Sequence, residues 1–214
     1  MDQRLKNMAT YQPKKRLSFK QAVLKRAFDI IFSAFGLIVF WWLIFISWIL
    51  ASIDTRSNGF FVQKRVGLEG KIFNVIKIKT MRPTKCKGTT ITAANDPRIT
   101  ALGALFRKAK IDELPQLINV FFGQMSFVGP RPDVPGYADK LTAEDLIILT
   151  IRPGITGPAT LKYKNEEELL EQQLDPQAFN DDVIFPDKVA INKSYIIDYS
   201  FSQDIRYILL TLFG

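Results

Sequence analysis

Hydrophobic and polar positions along the chain fall into a few distinct patterns. Residues 30–53 form a run of 24 residues without a charge, holding Trp41, Trp42, Trp48 and four phenylalanines. A helix needs roughly 20 apolar residues to traverse a bilayer core. A membrane helix is therefore expected over residues 25–55, behind a polar, basic arm at residues 1–24. No small-residue cleavage site follows the run, so an anchor is expected here and not a removed signal peptide; the other reading is a buried core helix. Residues 60–66 and 71–78 read as two short strands around Gly67-Leu68-Glu69-Gly70. Residues 80–92, rich in Thr, Lys and Pro, read as a loop. Leu102, Leu105, Phe106 and Ala109 recur at helical spacing within residues 99–110, and residues 112–121 read as a second helix. Residues 129–135 contain three prolines and are expected to be extended and rigid. Further helices are expected over residues 142–151, ended by Pro153-Gly154, over the acidic stretch 166–173, and over 187–199. Phe201, Ile205, Ile208, Leu209, Leu212 and Phe213 line one face of a last helix. That face either packs on the core or lies in a membrane interface. The sum is an α+β fold, mostly helical: an N-terminal membrane-embedded helix, then a small cytosolic domain over residues 56–214 with a short β-hairpin and interfacial helices.

Charge changes how the apolar run is read. Residues 1–29 carry eight basic and two acidic side chains, and residues 54–87 carry nine and two, whereas residues 88–214 carry twelve basic and seventeen acidic. The excess positive charge brackets the charge-free segment, as at an anionic membrane surface. A spanning helix normally has one strongly basic flank, on the cytoplasmic side. Two basic flanks favour a re-entrant helix that keeps both clusters on that side. Re-entry needs a bend, and no proline lies between Arg26 and Arg82, which leaves Ser33, Gly36 and Ser47 as the weak points. The net negative charge of residues 88–214 argues against nucleic acid as a partner.

Composition then narrows the chemistry. The chain has no histidine and one cysteine, Cys86. Serine–histidine and cysteine–histidine catalysis, an ordinary structural zinc site and an internal disulfide are all excluded. Acid–base or nucleophilic work falls to Asp, Glu, Lys, Ser, Thr or Tyr, and a metal would be a hard, oxygen-liganded ion such as Mg²⁺.

Three clusters could carry such chemistry. In Arg107-Lys108-Ala109-Lys110-Ile111-Asp112-Glu113-Leu114-Pro115-Gln116, two adjacent carboxylates follow three basic residues. One reading is a helix start, with Asp112 as N-cap and Pro115 in the first turn. The other uses the same geometry: a carboxylate kept ionised beside Lys and Arg could attack phosphorus, and its neighbour could hold Mg²⁺. In Gly129-Pro130-Arg131-Pro132, a stiffly held arginine suits bidentate phosphate contacts or is an ordinary surface turn. Lys77 and Lys79 would share one strand face, at a phosphate site or at a solvated edge. No GxxxxGK[ST] or GxGxxG motif occurs.

In series, the motifs resemble the bacterial sugar transferases, the monotopic phosphoglycosyl transferases acting on polyprenyl phosphate. The matching stretches are Lys25-Arg26-Ala27-Phe28-Asp29, FVQKRVG at 61–67, KIKTM at 77–81, DPRIT at 96–100, IDELPQLINVFFGQMSFVGPRP at 111–132, and RPGITG at 152–157. The resemblance implies transfer of sugar 1-phosphate from a UDP-sugar to polyprenyl (undecaprenyl) phosphate, with release of UMP. This would be the first membrane step of a bacterial glycoconjugate pathway, at the cytoplasmic face of the inner membrane. By resemblance, Asp112 is the nucleophile that forms a phosphosugar intermediate and Glu113 binds Mg²⁺. Lys77, Lys79, Arg107, Pro130, Arg131, Pro132, Lys164 and Asp204 fall at substrate-binding positions. Inner-membrane lipid is the expected surface, and a homo-oligomer is compatible. Two departures stand out. Trp41-Trp42 occupy the place of the Ser-Pro pair that often breaks the family's membrane helix. The stretch PATLKYKN at 158–165 replaces a Trp-Ala-Gln-Val-Asn-Gly-Arg-Asn segment, putting Lys164 for Arg, and Gln124 stands where Asp is common. A non-catalytic membrane-surface scaffold is the alternative.

Overall fold

The computed structural model describes residues 17–83, 96–141 and 144–214. Residues 1–16 of the expected arm, residues 84–92 of the expected loop with Cys86, and residues 142–143 lie outside the described residues. Helix α1 (Phe19–Thr55) begins at a capping box, in which Ser18 Oγ accepts from Gln21 N and Gln21 Oε1 accepts from Ser18 N. It starts six residues before the expected boundary and stops where Arg56 turns left-handed, at φ 51°. One stripe is buried along its length: Lys25, Asp29, Ser33, Gly36, Ile44, Ser47, Ala51 and Thr55. The spacing is that of one helix face. Ser33, Gly36 and Ser47 serve this packing. Ser33 and Ser47 are buried, and Gly36 lies against Leu117. They do not interrupt α1, which runs as one helix. Its outer face is uncovered, with Ile31, Phe35, Ile38, Trp41 and Ile53 all exposed. A core helix would bury these side chains, so that reading does not hold. By length and composition α1 could cross a membrane.

The remaining chain packs on that stripe. Strand β1 (Phe60–Val66) pairs antiparallel with β2 (Ile72–Ile78), Phe61 facing Lys77 across the ladder. Helix α2 (Ala101–Lys108) is capped by Thr100 Oγ1, which accepts from Gly103 N at 2.9 Å. Gly103 lets the helix lie on the backbone of Thr80, since a Cβ there would sit 2.1 Å from the Thr80 carbonyl oxygen. Ala51, Ile78 and Phe106 form a small core where α1, β2 and α2 meet.

A 3₁₀ turn, Ile111–Glu113, follows α2 and leads into α3 (Gln116–Phe121). Strand β3 (Ser126–Val128) pairs parallel with β4 (Gly154–Thr156), a pairing not foreseen. Each is three residues long, too short for an alternating pattern. The helix expected over residues 142–151 forms over Asp145–Thr150 among the described residues, as a 3₁₀ helix. Its Leu146, Ile147, Ile148 and Leu149 are all buried, so the main core surrounds this turn on every side. Helices α4 (Pro158–Lys162), α5 (Glu166–Glu171), α6 (Pro176–Phe179), a π turn (Asn180–Ile184), α7 (Phe185–Ile197) and α8 (Phe201–Phe213) complete the chain. The main core joins Val128, residues 146–149 and Ile151 to Val189, Tyr195, Ile196 and Tyr199, with Tyr207 and Ile208 of α8 packed on it. Past that point Leu209, Leu210, Leu212 and Phe213 are exposed, so only part of α8 packs on the core.

Candidate active site

Two cations from separate elements converge on one carboxylate. Glu113 Oε1, at the end of the 3₁₀ turn, accepts from Lys77 Nζ of β2 at 2.8 Å and from Arg131 Nη2 at 2.7 Å. Lys77 reaches it from near the end of the hairpin. Arg131 reaches it from the proline-rich loop after β3, which is tied down on both sides. The Pro130 carbonyl accepts from Gly154 N at 2.8 Å, and the Pro132 carbonyl accepts from Arg65 Nη1 at 2.9 Å. Gly129 and Gly154 allow the backbones to touch: a Cβ on Gly154 would lie 2.2 Å from Gly129 N. Arg131 is thus held stiffly between two tethered prolines, as its sequence setting suggests.

Asp112 does not cap a helix. It lies inside the 3₁₀ turn, α3 starts three residues beyond Glu113 with no side-chain cap, and Lys110 makes the left-handed entry at φ 56°. Pro115 and the preceding turn displace the expected helix start by four residues. Asp112 is buried, and its Oδ1 has no hydrogen-bond partner among the described residues. A buried carboxylate oxygen left unpartnered is costly in a folded protein and points to a ligand or a reaction.

The two neighbouring carboxyls are driven apart electrostatically. Burial pushes Asp112 up to about 6, the Glu113 charge adds to this, and Lys77, Lys110 and Arg107 oppose it. Burial also raises Glu113, but Arg131 and Lys77 outweigh it and hold that carboxyl well below the usual carboxylate range. Glu113 strengthens the charge on Arg131, whereas burial lowers Lys77 despite Glu113 beside it. One carboxyl is therefore a fixed anion and the other switches near neutrality.

The other residues singled out from sequence sort differently. Arg107, in the last turn of α2, donates from Nη2 to Glu167 Oε1 of α5 at 2.5 Å, and its buried Nη1 has no partner among the described residues. Lys79 lies one residue past β2 and does not join Lys77 on Glu113. It turns toward the end of α1, donating to Ser57 Oγ at 3.0 Å. Lys164 is exposed just beyond α4. Asp204 is buried at 2 % exposure, and its carboxylate is taken by Lys25, Tyr195 and Tyr199. These partners give it a structural place within the core.

Sequence reasoning missed several residues that build the site. Asn119 is buried and holds β2 to α3, accepting from Ile76 N and donating to the Asn74 carbonyl. Asp29 Oδ1 accepts from Ser126 Oγ at 3.0 Å and Phe127 N at 3.1 Å, fixing β3 to α1. Arg65 orients the Arg131 loop. Asp29 and Arg65 stand in motifs noted above, but nothing in their spacing assigns them a task. Asn119 likewise stands in the 111–132 stretch, with nothing in its spacing to single it out.

The chain thus combines a mostly helical α+β domain and one long apolar helix with an Asp-Glu pair whose glutamate is clamped by two cations. The bacterial sugar transferase family model matches residues 20–214, and the chain belongs to that family. Among its relatives, the exopolysaccharide production protein PSS of Rhizobium leguminosarum bv. phaseoli is 41% identical over 149 residues, covering 65% of this chain and 74% of that protein. The UDP-glucose:undecaprenyl-phosphate glucose-1-phosphate transferase of Escherichia coli (strain K12) is 31% identical over 202 residues, 92% of this chain and 41% of that protein. The protein of that same name from Klebsiella pneumoniae is 33% identical over 198 residues, 89% and 40%.

Proposed function

We propose that this protein transfers sugar 1-phosphate from a UDP-sugar to undecaprenyl phosphate, releasing UMP. The family membership and the names of its relatives support the reaction class. The observation that carries the chemistry is the contrast within the pair: Asp112 with an unpartnered oxygen beside Glu113, which is locked in an ion-pair cluster. In this reading an Asp112 carboxylate oxygen attacks the phosphorus that bears the sugar. The diphosphate P–O bond breaks, and UMP leaves with that bonding pair. An oxygen of the lipid phosphate then attacks the same phosphorus, breaks the acyl phosphate and returns Asp112 as carboxylate. Lys77, Arg107 and Arg131 orient the donor phosphates by charge-assisted hydrogen bonds.

The donor set fits Mg²⁺, which takes one or two carboxylates and completes its shell with water and substrate phosphate. Glu113 is the residue that would hold it, beside the buried Asp112 Oδ1 that has no hydrogen-bond partner among the described residues. When bound, it would neutralise charge on the diphosphate.

We extend the proposal to topology. Lys25 and Asp29 of α1 meet α8 and β3, while Trp48 and Ala51 meet β1, β2 and α2 of the same domain. Between Lys25 and Ala51 the helix rises about 39 Å, more than the roughly 30 Å of a hydrocarbon core. A helix held at both ends by one water-facing domain keeps both ends on one face. This supports the same-side arrangement favoured by the two basic flanks, with the uncovered face of α1 in the lipid of the cytoplasmic membrane.

The test is Asp112→Asn in the full chain. Turnover is expected to fall by about 10⁴ or more, the scale for loss of a covalent nucleophile. Wild type should release UMP from UDP-sugar without lipid acceptor and carry one phosphosugar by mass. An active Asp112→Asn variant would remove Asp112 from this role, and the scaffold reading predicts unchanged membrane and partner binding in it.

A further inference from the structure

Helix α5 brings three consecutive glutamates, Glu166 to Glu168, to the side of a site built from cations. The Arg107–Glu167 ion pair is the closest contact between the two, at 2.5 Å with both side chains partly exposed. Glu167 feels Arg107, Lys110 and Arg131 together, and Glu166 acts on Arg131 in turn. Arg107 and Lys110 are also the groups that act on Asp112. Helix α5 therefore faces the cations that flank the Asp112–Glu113 pair.

Contacts to α7 hold it there. Lys188 Nζ donates to both oxygens of Glu166, at 2.7 and 2.6 Å, and lies 5.6 Å from the Tyr163 ring centroid. Tyr163 donates from its hydroxyl to Asp187 at 2.6 Å. Two residues of α7 thus fasten the start of α5, while Glu167 points to the site cation. The Arg107 fork is only half used among the described residues: Nη2 meets a carboxylate, and the buried Nη1 meets no partner there. A guanidinium fork matches two oxygens of one phosphate better than a single carboxylate oxygen.

We propose that Glu167 is a built-in place-holder for the donor diphosphate, occupying Arg107 in the free enzyme and exchanged for a phosphate group when donor binds. This rests on the phosphoglycosyl transfer reading above and adds a residue that sets donor affinity. An internal carboxylate competes with every anion. Weak single-contact anions such as inorganic phosphate do not displace it, whereas a diphosphate held at several points does. Occupancy of Arg107 is thereby coupled to the position of α5.

The experiment measures binding of UDP and of inorganic phosphate to the full chain in nanodiscs by calorimetry. The variants are Glu167→Gln, Glu167→Ala, Arg107→Gln and the Glu167→Gln/Arg107→Gln double. Both Glu167 variants are expected to bind UDP about 2- to 5-fold tighter, the size of a partly exposed ion pair. They should also gain measurable phosphate binding. In the Arg107→Gln background the Glu167→Gln gain should vanish. Unchanged or weaker UDP binding in both Glu167 variants, with wild type binding UDP normally, overturns the place-holder and leaves the transferase reading intact. A gain that persists without Arg107 also overturns it. Failure of wild type to bind UDP at all overturns both.

Discussion

Lys25 Nζ, near the start of α1, lies 2.5 Å from Asp204 Oδ2 in α8, so a buried ion pair joins the two ends of the described chain. Tyr195 donates to the other oxygen, and Tyr199 to the same one as Lys25. Burial and the Asp204 charge hold the Tyr195 and Tyr199 hydroxyls far above the ordinary tyrosine range, so both remain donors. The carboxylate is fully satisfied, which removes the usual penalty for burying it. Removing one partner leaves an uncompensated charge. Asp204→Ala is expected to lose about 3–5 kcal/mol of stability, read by denaturant unfolding in micelles. Its surviving folded fraction should bind UDP as wild type does. Weaker UDP binding at full stability would restore Asp204 to the substrate site.

Asp112 imposes a pH dependence of definite sign. Its carboxyl is pushed up to about 6, and only the ionised form can attack. Donor kcat/KM is therefore expected to be low at pH 5 and to rise through about pH 6 to a plateau. Glu113 remains ionised throughout this window and contributes no inflection. Asp133 is also pushed up to about 6, by burial, so Asp133→Asn serves as the control. An inflection that disappears in Asp133→Asn would assign it to the wrong carboxyl.

Arg131 donates to Glu113 from a loop locked by Gly129, Gly154 and Arg65. Lysine would keep the charge and lose the planar fork. Arg131→Lys is expected to raise donor KM about tenfold, as for a charge-assisted hydrogen bond lost from a phosphate site. Thermal stability should stay close to wild type, because Arg131 is partly exposed. Equal steady-state constants for the two proteins would show that charge alone suffices.

The topology has its own test. Cys86 and a cysteine introduced at Thr10, both outside the described residues, flank α1. In sealed vesicles of known orientation, a membrane-impermeant thiol reagent should label both from the same side. Labelling from opposite sides would mean that α1 spans.

The long apolar run, the hairpin and most helices were legible because each depends on near neighbours. An uncharged stretch, a strand pair around Gly67 and Gly70, and an apolar stripe in α8 announce themselves within a dozen residues. The Asp112–Glu113 pair and Arg131 were legible as motifs, and their roles came through resemblance. What failed was also local in origin. The helix expected to start at Asp112 yields to a 3₁₀ turn and Pro115, with Asp112 buried in the turn. Propensity had no means of weighing those demands from the core.

Chain order was sufficient for the long apolar helix, the basic flanks, the lack of any histidine and a family resemblance that the comparisons bear out. Folding alone revealed which charges meet. Lys77 joins Glu113 across 36 positions, Lys79 turns away to Ser57, and Lys25 finds Asp204 across 179. The reason is physical: periodicity reports the environment of a single residue, whereas an ion pair depends on where two distant backbones are brought together. For the same cause nothing in the sequence around Asp204 announces the buried ion pair with which it ties α8 to α1.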